Sequence, residues 1–543
     1  MKKRLVYLFV ILIGLVLFIS ACEQYVGKKI INNKINEKNI NIKSIESKNI
    51  QEIKLLVQSE VIKLNQLNIP QSSFDKIELP PERDWQIGAV CSGTINEDTI
   101  LDEDIECNMR FGLIINSSNV TLNCNGHKIR GIGNQFINPP FGVSVRNKVG
   151  ISIIGCEISG FLNGIYFDKV TQSEILLNEV KDNIYNGIYI ENSLSNRIEQ
   201  NILSNNAFSG IALSYSKNNK IKKNNIHDNE AVGIQFWSNN SFNNLTENNI
   251  EENDDYGINT GQNSHSNTLT KNIIKNNGDM GLWITSNSNT INENIVNNNG
   301  DVGISVWGSF NYLIRNKINN HKYGIEIFGE EASNTLLEND INGSFGGIFL
   351  IFSDSNTLNK NKIKNNEYFG INIYGGNSNT LSENLLTNNL NNIVLFSSKE
   401  NTLRRNDVNG NNQQNNQQLG IFLICDNNDD TLCSSDNLIQ LNTITNNNKG
   451  IFIIGKNKHN EIRGNTLKNN LNGLLIREGA QDNSIISNNL CFNQVNDISC
   501  ESISNRNSFS RNLCTTILKE QCNNDISCNA CPMGGTPARI LER

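Results

Sequence analysis

Seven carboxylates recur at one phase of a repeating sequence: Asp228 and Glu230, then Glu252, Asp254 and Asp255, then Asp279, then Asp301. Their intervals are those of the repeat itself, so stacking the repeats gathers them into one cluster. Crowded carboxylates repel one another, which raises the pKa of some members or recruits a cation such as Ca2+. Such a cluster contains the parts of glycoside hydrolysis, a proton donor and a base. Asp254, Asp255, Asp279 and Asp301 are the candidate catalytic residues. With Ca2+ the same cluster would serve a polysaccharide lyase, which also needs a basic group. Lys169, Lys322 and Arg477 are the nearest bases, and the spacing places none of them centrally. The plain alternative is a solvated acidic turn.

Aromatic residues recur beside these acids. The chain has four tryptophans, and three of them, Trp237, Trp283 and Trp307, fall within four consecutive repeats. Aromatic faces pack against the C–H faces of sugar rings, while amides and carboxylates bond their hydroxyls. The expected substrate-binding set is Tyr189, Glu191, Gln235, Trp237, Asn259, Trp283, Trp307, Glu326 and Tyr374. A ligand surface would leave the three tryptophans exposed in a groove beside Asp254 and Asp255. Otherwise a loop or partner covers them, because exposed aromatic patches are uncommon on soluble surfaces.

The element that must carry both sets is a repeat anchored on Gly-Ile/Leu/Val-x-apolar. It begins at Gly164 and recurs at Gly187, Gly210, Gly233, Gly257, Gly281, Gly303, Gly324, Gly347 and Gly370, with Asn392 once replacing Gly. Gly420, Gly450 and Gly473 complete it, at spacings of 21–24 residues apart from two of 28 and 30. A second anchor runs in phase, giving the unit N-T-L-x-x-N-x-I-x-x-N-N-x-x-G-I-x-I. Each apolar pair has the period of two that a strand requires. Asn and Gly between the pairs tolerate left-handed backbone and allow sharp turns. No unit can bury its apolar face alone; stacking in register does so. Inward Asn side chains then form ladders from coil to coil. The fold class is therefore all-β, a right-handed parallel β-helix of about 23-residue coils, right-handedness being the strong default for parallel crossovers. A leucine-rich repeat has a similar period but needs helical segments that these Asn, Ile, Thr and Ser residues do not favour.

The flanks differ in composition. Lys2, Lys3 and Arg4 precede the apolar run Leu5 to Ile19, followed by Ser20-Ala21-Cys22. This pattern resembles a prokaryotic lipoprotein signal, which implies lipidation of Cys22 and a tether to a membrane surface. Residues 23–81 are Asn- and Lys-rich and read as a flexible spacer. Residues 82–141 read as an N-terminal cap with the first coils, 142–515 as the repeats, and 516–543 as a Cys-rich C-terminal cap. Of 13 cysteines, all but Cys22 make an even set suited to disulfides in an exported chain. Cys91, Cys107, Cys425 and Cys433 are the first disulfide candidates, with Cys425–Cys433 closing an insertion. Cys528-x-x-Cys531 reads as structural. Within the inserted loop, Asp426, Asp429 and Asp430 are weak Ca2+ candidates, since the spacing lacks the Gly and distal Glu of an EF-hand. The five histidines lie far apart or at different phases, which argues against a copper site.

Low apolar content, 37% against a usual share of roughly 45–50%, suits a thin solenoid core. A net charge of −7 argues against nucleic acid as a partner. The segment from Cys91 to Gly131, with the repeats after it, resembles the opening of secreted β-helix proteins of the NosD-type/PbH1 class with the pectin-lyase-like fold. That resemblance covers roughly residues 90–515 and implies a carbohydrate-active enzyme, a binding protein, or an accessory role in metal-centre maturation. The polygalacturonase-like NTD, DD, GHG and RIK set is missing, and Gly126-His127 lies in the cap. The expected function is a monomeric surface protein that binds polysaccharide or a cell-surface glycan, and cleaves it if the acidic turn is catalytic. The rival is a structural or adhesive spacer.

Overall fold

The repeat unit makes one complete turn of chain in the computed structural model, which describes residues 86–107, 111–131, 141–330, 332–411, 418–425, 433–477, 479–501, 506–520, 526, 528–531 and 539–542. Three short strands form in each turn. In one coil they are Ile258–Thr260, Thr268–Thr270 and Ile273–Lys275. Each pairs in parallel with its counterpart one coil on, Ile258 with Leu282, Thr268 with Thr290 and Ile273 with Ile295. Among the described residues the Gly-Ile strands build a sheet of 20, the Thr-Leu strands one of 19 and the Asn-Ile strands one of 16. The result is a parallel β-helix with a single core of inward Ile, Leu and Val, most of them fully buried. The Gly-Ile sheet runs past residue 515, through Thr516–Glu520 and Arg539–Glu542, so part of the expected C-terminal cap is sheet.

Glycine opens the Gly-Ile strand because nothing larger fits. A Cβ on Gly281 would lie 2.6 Å from both the Gly303 carbonyl oxygen of the next coil and Val296 Cγ1. The inward Asn ladders form as expected. Along one corner, 15 asparagines from Asn178 to Asn512 each accept a hydrogen bond from the backbone N–H of the coil before. Asn339 Oδ1, for example, accepts from both the N–H and Nδ2 of Asn316, at 3.0 Å each. Asn316 Nδ2 also donates to the Ile291 carbonyl at 2.8 Å. A buried amide such as that of Asn316 is thus satisfied by backbone and by its neighbour, which avoids the ~1–3 kcal/mol penalty of an unpaired buried polar group.

Disulfides join Cys91–Cys107, Cys124–Cys156, Cys425–Cys433, Cys491–Cys531 and Cys514–Cys528. The two cysteines of the C-x-x-C pair are therefore bonded to different partners, not to each other. Disulfides persist in oxidising compartments, and this chain is an exported one. Cys22, Asp426, Asp429 and Asp430 lie outside the described residues. Among the described residues no helix is long and apolar enough to cross a membrane.

Candidate functional site

Side-chain alternation puts the residue after Gly-Ile on the outer face, and the strand register sets one continuous column: Tyr166, Tyr189, Ala212, Gln235, Asn259, Trp283, Ser305, Glu326, Phe349 and Asn372. A second outer column follows two residues on and holds Asp168, Glu191, Trp237, Trp307 and Tyr374. Tyr166 donates a 2.9 Å hydrogen bond to Glu191, and Arg146 lies over its ring. All nine expected binding residues thus share one face.

They do not share one environment. Trp307 is 46% exposed and Trp283 half-buried, whereas Trp237 is only 7% exposed. Trp237 stacks with Phe208 at 6.5 Å between ring centroids. Phe208 sits at the turn before one strand and Trp237 at the end of the next, so the rings meet only by lying down along the sheet. Ala212 and Gln235, between them in register, are buried accordingly. Trp237 is therefore built into the surface, a correction to the expected exposed groove residue. Its indole Nε1, Trp283 Nε1 and Asn259 Oδ1 are buried without hydrogen-bond partners. Asn259 does donate from Nδ2 to Gln235 at 3.2 Å.

The acidic turn is gathered into a column. Asp279 donates its backbone N–H to the Asp255 carbonyl and Asp301 to that of Asp279, at 2.8 and 2.9 Å. The coil rise of about 4.8 Å keeps successive carboxylates close. Asp254, one residue earlier, is exposed and stands beside the column. Burial first, and then the neighbouring Asp254, pushes the Asp255 carboxyl above the usual carboxylate range. Asp279 is raised by burial and by Asp301 and Asp255, against a hydrogen bond from Tyr256. Glu326 is raised chiefly by its burial.

Lys322 stands at the end of the column, in the coil after Asp301. It donates its backbone N–H to the Asp301 carbonyl at 2.9 Å, and its Nζ lies 3.0 Å from the Asp301 carboxylate. Aromatic rings link acids to tryptophans: Tyr256 lies 5.1 Å from Trp283, Trp283 6.0 Å from Trp307, and Trp307 5.2 Å from Phe328. Trp307 Nε1 donates to Ser305 Oγ at 3.0 Å, and Ser305 Oγ to Glu326 at 3.3 Å. Sequence reasoning missed Tyr256, Tyr323, Phe345, Tyr368 and Phe369, which pack across the same face. Their signal was present in the one or two positions before each Gly.

Among the described residues no group of three or more His, Cys, Asp or Glu converges as a metal would require. The acidic column is a row along one face, not a cage. Chemically, the arrangement offers flat apolar platforms, hydrogen-bonding atoms between them, and a wall of protonatable carboxyls.

The chain belongs to the right-handed β-helix family: the model of the right handed beta helix region matches residues 163–318 and 303–467, more than half of the chain. No curated protein sequence matches it. Among solved structures, the alginate lyase AlyF-OU02 is 10% identical over 86% of this chain and 84% of that one, with a TM-score of 0.31. The periplasmic alginate epimerase AlgG is 11% identical over 78% and 77%, at 0.25. The A-module of the Azotobacter vinelandii mannuronan C-5 epimerase AlgE4 is 13% identical over 76% and 91%, at 0.22. Likenesses this distant say nothing of what the present chain binds.

Proposed function

We propose that this chain binds a polysaccharide laid along the outer face of the Gly-Ile sheet, while tethered through Cys22 at the cell surface or in the periplasm. The observation that carries the reading is the pair Trp283 and Trp307, in adjacent coils, linked through Tyr256 to the Asp279 carboxyl and through Ser305 to that of Glu326. A sugar ring stacked on Trp307 would bring its hydroxyls toward the neighbouring carboxyls. Replacing Trp307 with Ala removes the exposed platform without opening the core. Glycan affinity should fall by roughly tenfold or more, as for a central aromatic anchor, with stability little changed. Isothermal titration of wild type and variant against a panel of polymers checks this. A spacer protein would bind none of them.

A second reading adds cleavage, and the raised carboxyl of Asp279 favours it. A carboxyl with a raised pKa keeps its proton to higher pH and can give it to a glycosidic oxygen, while a neighbouring carboxylate serves as the base. Depolymerisation of a bound polymer by wild type, lost in Asp279→Asn with binding retained, is the expected result. Binding with no product from wild type restricts the function to recognition.

A further inference from the structure

The ladder behind the turn before the Gly-Ile strand has a fixed direction. Asn183, Asn206, Asn229, Asn253, Asn277 and Asn299 stack there, each donating its Nδ2 to Oδ1 of the next. The main chain sets this orientation, because the same Oδ1 atoms accept the backbone N–H of the coil before. A backbone N–H can only donate. The Asn299 amide therefore cannot turn over without setting its NH2 against the Asn277 N–H, which it now accepts at 3.0 Å. Its NH2 must face the following coil, and there the ladder meets His321 in place of another Asn. Asn299 Nδ2 lies 3.1 Å from His321 Nε2.

That contact requires an unprotonated nitrogen. An imidazolium carries N–H on both nitrogens, so protonation would set donor against donor. The ring is only 6% exposed, where an unpaired charge is costly. Nδ1 gives no relief: it has no hydrogen-bond partner, and a Cβ on Gly303 would lie 3.1 Å from it. Asn299, Gly303 and Ser344, whose Oγ accepts the His321 backbone N–H at 3.3 Å, do not titrate. The charged side chains of this turn, Asp301 and Lys322, pair with each other at 3.0 Å. Burial alone displaces the pKa of the ring, downward. The proton can enter only when the turn opens and the ring reaches water.

We propose that His321 is an acid-operated joint: neutral, it keeps the turn of residues 299–323 closed, and its protonation parts the coil carrying Trp307 from the coil carrying Phe328. Three contacts cross the joint. The Lys322 N–H donates to the Asp301 carbonyl at 2.9 Å, Ser305 Oγ donates to Glu326 at 3.3 Å, and the rings of Trp307 and Phe328 lie 5.2 Å apart. The joint thus divides the face proposed to bind glycan, but it does not depend on the polysaccharide reading.

Hydrogen exchange of the full chain at pH 7 and pH 5, corrected for the intrinsic pH dependence of exchange, is the test. An opened turn that takes up a proton at the ordinary histidine pKa of about 6.5, while the closed one does not, gains roughly twentyfold in population between those pH values. The reporters are the N–H of Lys322 and that of Phe345, which donates to the His321 carbonyl at 2.9 Å. Both should exchange faster by that factor in acid, while the Asp255 and Asp279 N–H groups, in coils whose ladder residues are Asn, should not. His321→Asn continues the ladder and should abolish the response. Asn299→Asp keeps the histidine but offers an imidazolium an acceptor, and should abolish it too. An equal response in wild type and His321→Asn overturns the proposal, as does one spread evenly over all coils. A response that survives in Asn299→Asp also overturns it, since donor facing donor would then not be the cause.

Discussion

Two turns of the coil carry charged residues through the middle of the solenoid, and they arrange them in opposite ways. The corner between the Thr-Leu and Asn-Ile strands reads Lys223, Glu247, Lys271, Glu293, Arg315, Glu338, Lys360, Glu383 and Arg405 across nine consecutive coils, alternating in sign throughout. Arg315 lies 3.0 Å from Glu293 and 4.0 Å from Glu338, and Lys223 3.6 Å from Glu247. Each of these residues has a left-handed backbone, with φ between 49° and 59°, and each is followed by an inward Asn of the unbroken ladder. The turn before the Gly-Ile strand instead stacks Asp255, Asp279 and Asp301, like on like. Its inner ladder runs Asn253, Asn277 and Asn299 and then changes to His321 and Ser344. Like charges in register on adjacent strands are destabilising, and alternation removes that cost. The corner is arranged for stability. Among the described residues only Asp301 of the three has an ion pair, to Lys322, so the turn stacks its acids at a cost to stability.

His321 is where breaking this contrast has the largest effect. It is buried, accepts at Nε2 from Asn299 Nδ2 at 3.1 Å, and leaves Nδ1 without a partner. Accepting at Nε2 assigns the proton of the neutral ring to Nδ1. Burial pulls its pKa down to about 4. A histidine with a depressed folded pKa contributes stability that is present above its unfolded value, near 6.5, and lost as pH falls toward 4. That loss is on the order of 3 kcal/mol. His321→Asn continues the ladder and abolishes the titration. The variant should be ~1 kcal/mol more stable at pH 7 and several-fold further ahead at pH 4. Urea denaturation at both pH values measures it; parallel pH profiles for the two proteins would show that His321 does not titrate in this way.

Converting the corner into a copy of the acidic turn has a smaller effect. Arg315→Glu replaces two ion pairs by two repulsions, because the new carboxylate would stand between those of Glu293 and Glu338. These groups are well exposed, so the expected cost is about 1 kcal/mol at low ionic strength. At 1 M salt, where the Debye length is ~3 Å, most of that cost should vanish. A stability loss that salt does not relieve would mean that the Arg315 stem, and not its charge, holds the corner.

The same contrast explains what the sequence made legible. Period-two pairs, Gly where a Cβ would strike the next coil, and Asn in ladders all follow from repetition, and they specify the coil. The corner escaped notice because Lys, Glu and Arg at left-handed turns were not anticipated where Asn and Gly were. Lys322 joins the acidic column for a countable reason. Asp301 stands two residues after its ladder residue Asn299, and Lys322 one after His321, so one missing residue brings them into the same column. The burial of Trp237 was out of reach, because a column of letters shows where side chains start and not how long ones lie. Tyr256 and Tyr323 were overlooked because the strand was taken to begin at Gly.

The smallest effect is the most discriminating. Asp279 has a folded pKa raised by burial and by Asp301 and Asp255. A carboxyl with a raised folded pKa costs nothing below its unfolded value and destabilises as pH climbs through the folded one. Asp279→Asn should therefore be the more stable protein at pH 7, by about half a kcal/mol. The difference should close as pH falls toward the unfolded aspartate value of about 3.9. Glu293→Gln, the matching neutralisation in the alternating corner, removes a charge that Arg315 holds at 3.0 Å and should lower stability at pH 7. Opposite signs from two isosteric neutralisations, read as paired Tm values at pH 7, would separate a turn charged for recognition from one charged for stacking. A loss of stability in both would place the acidic column among the structural charges and remove the reason to seek its ligand.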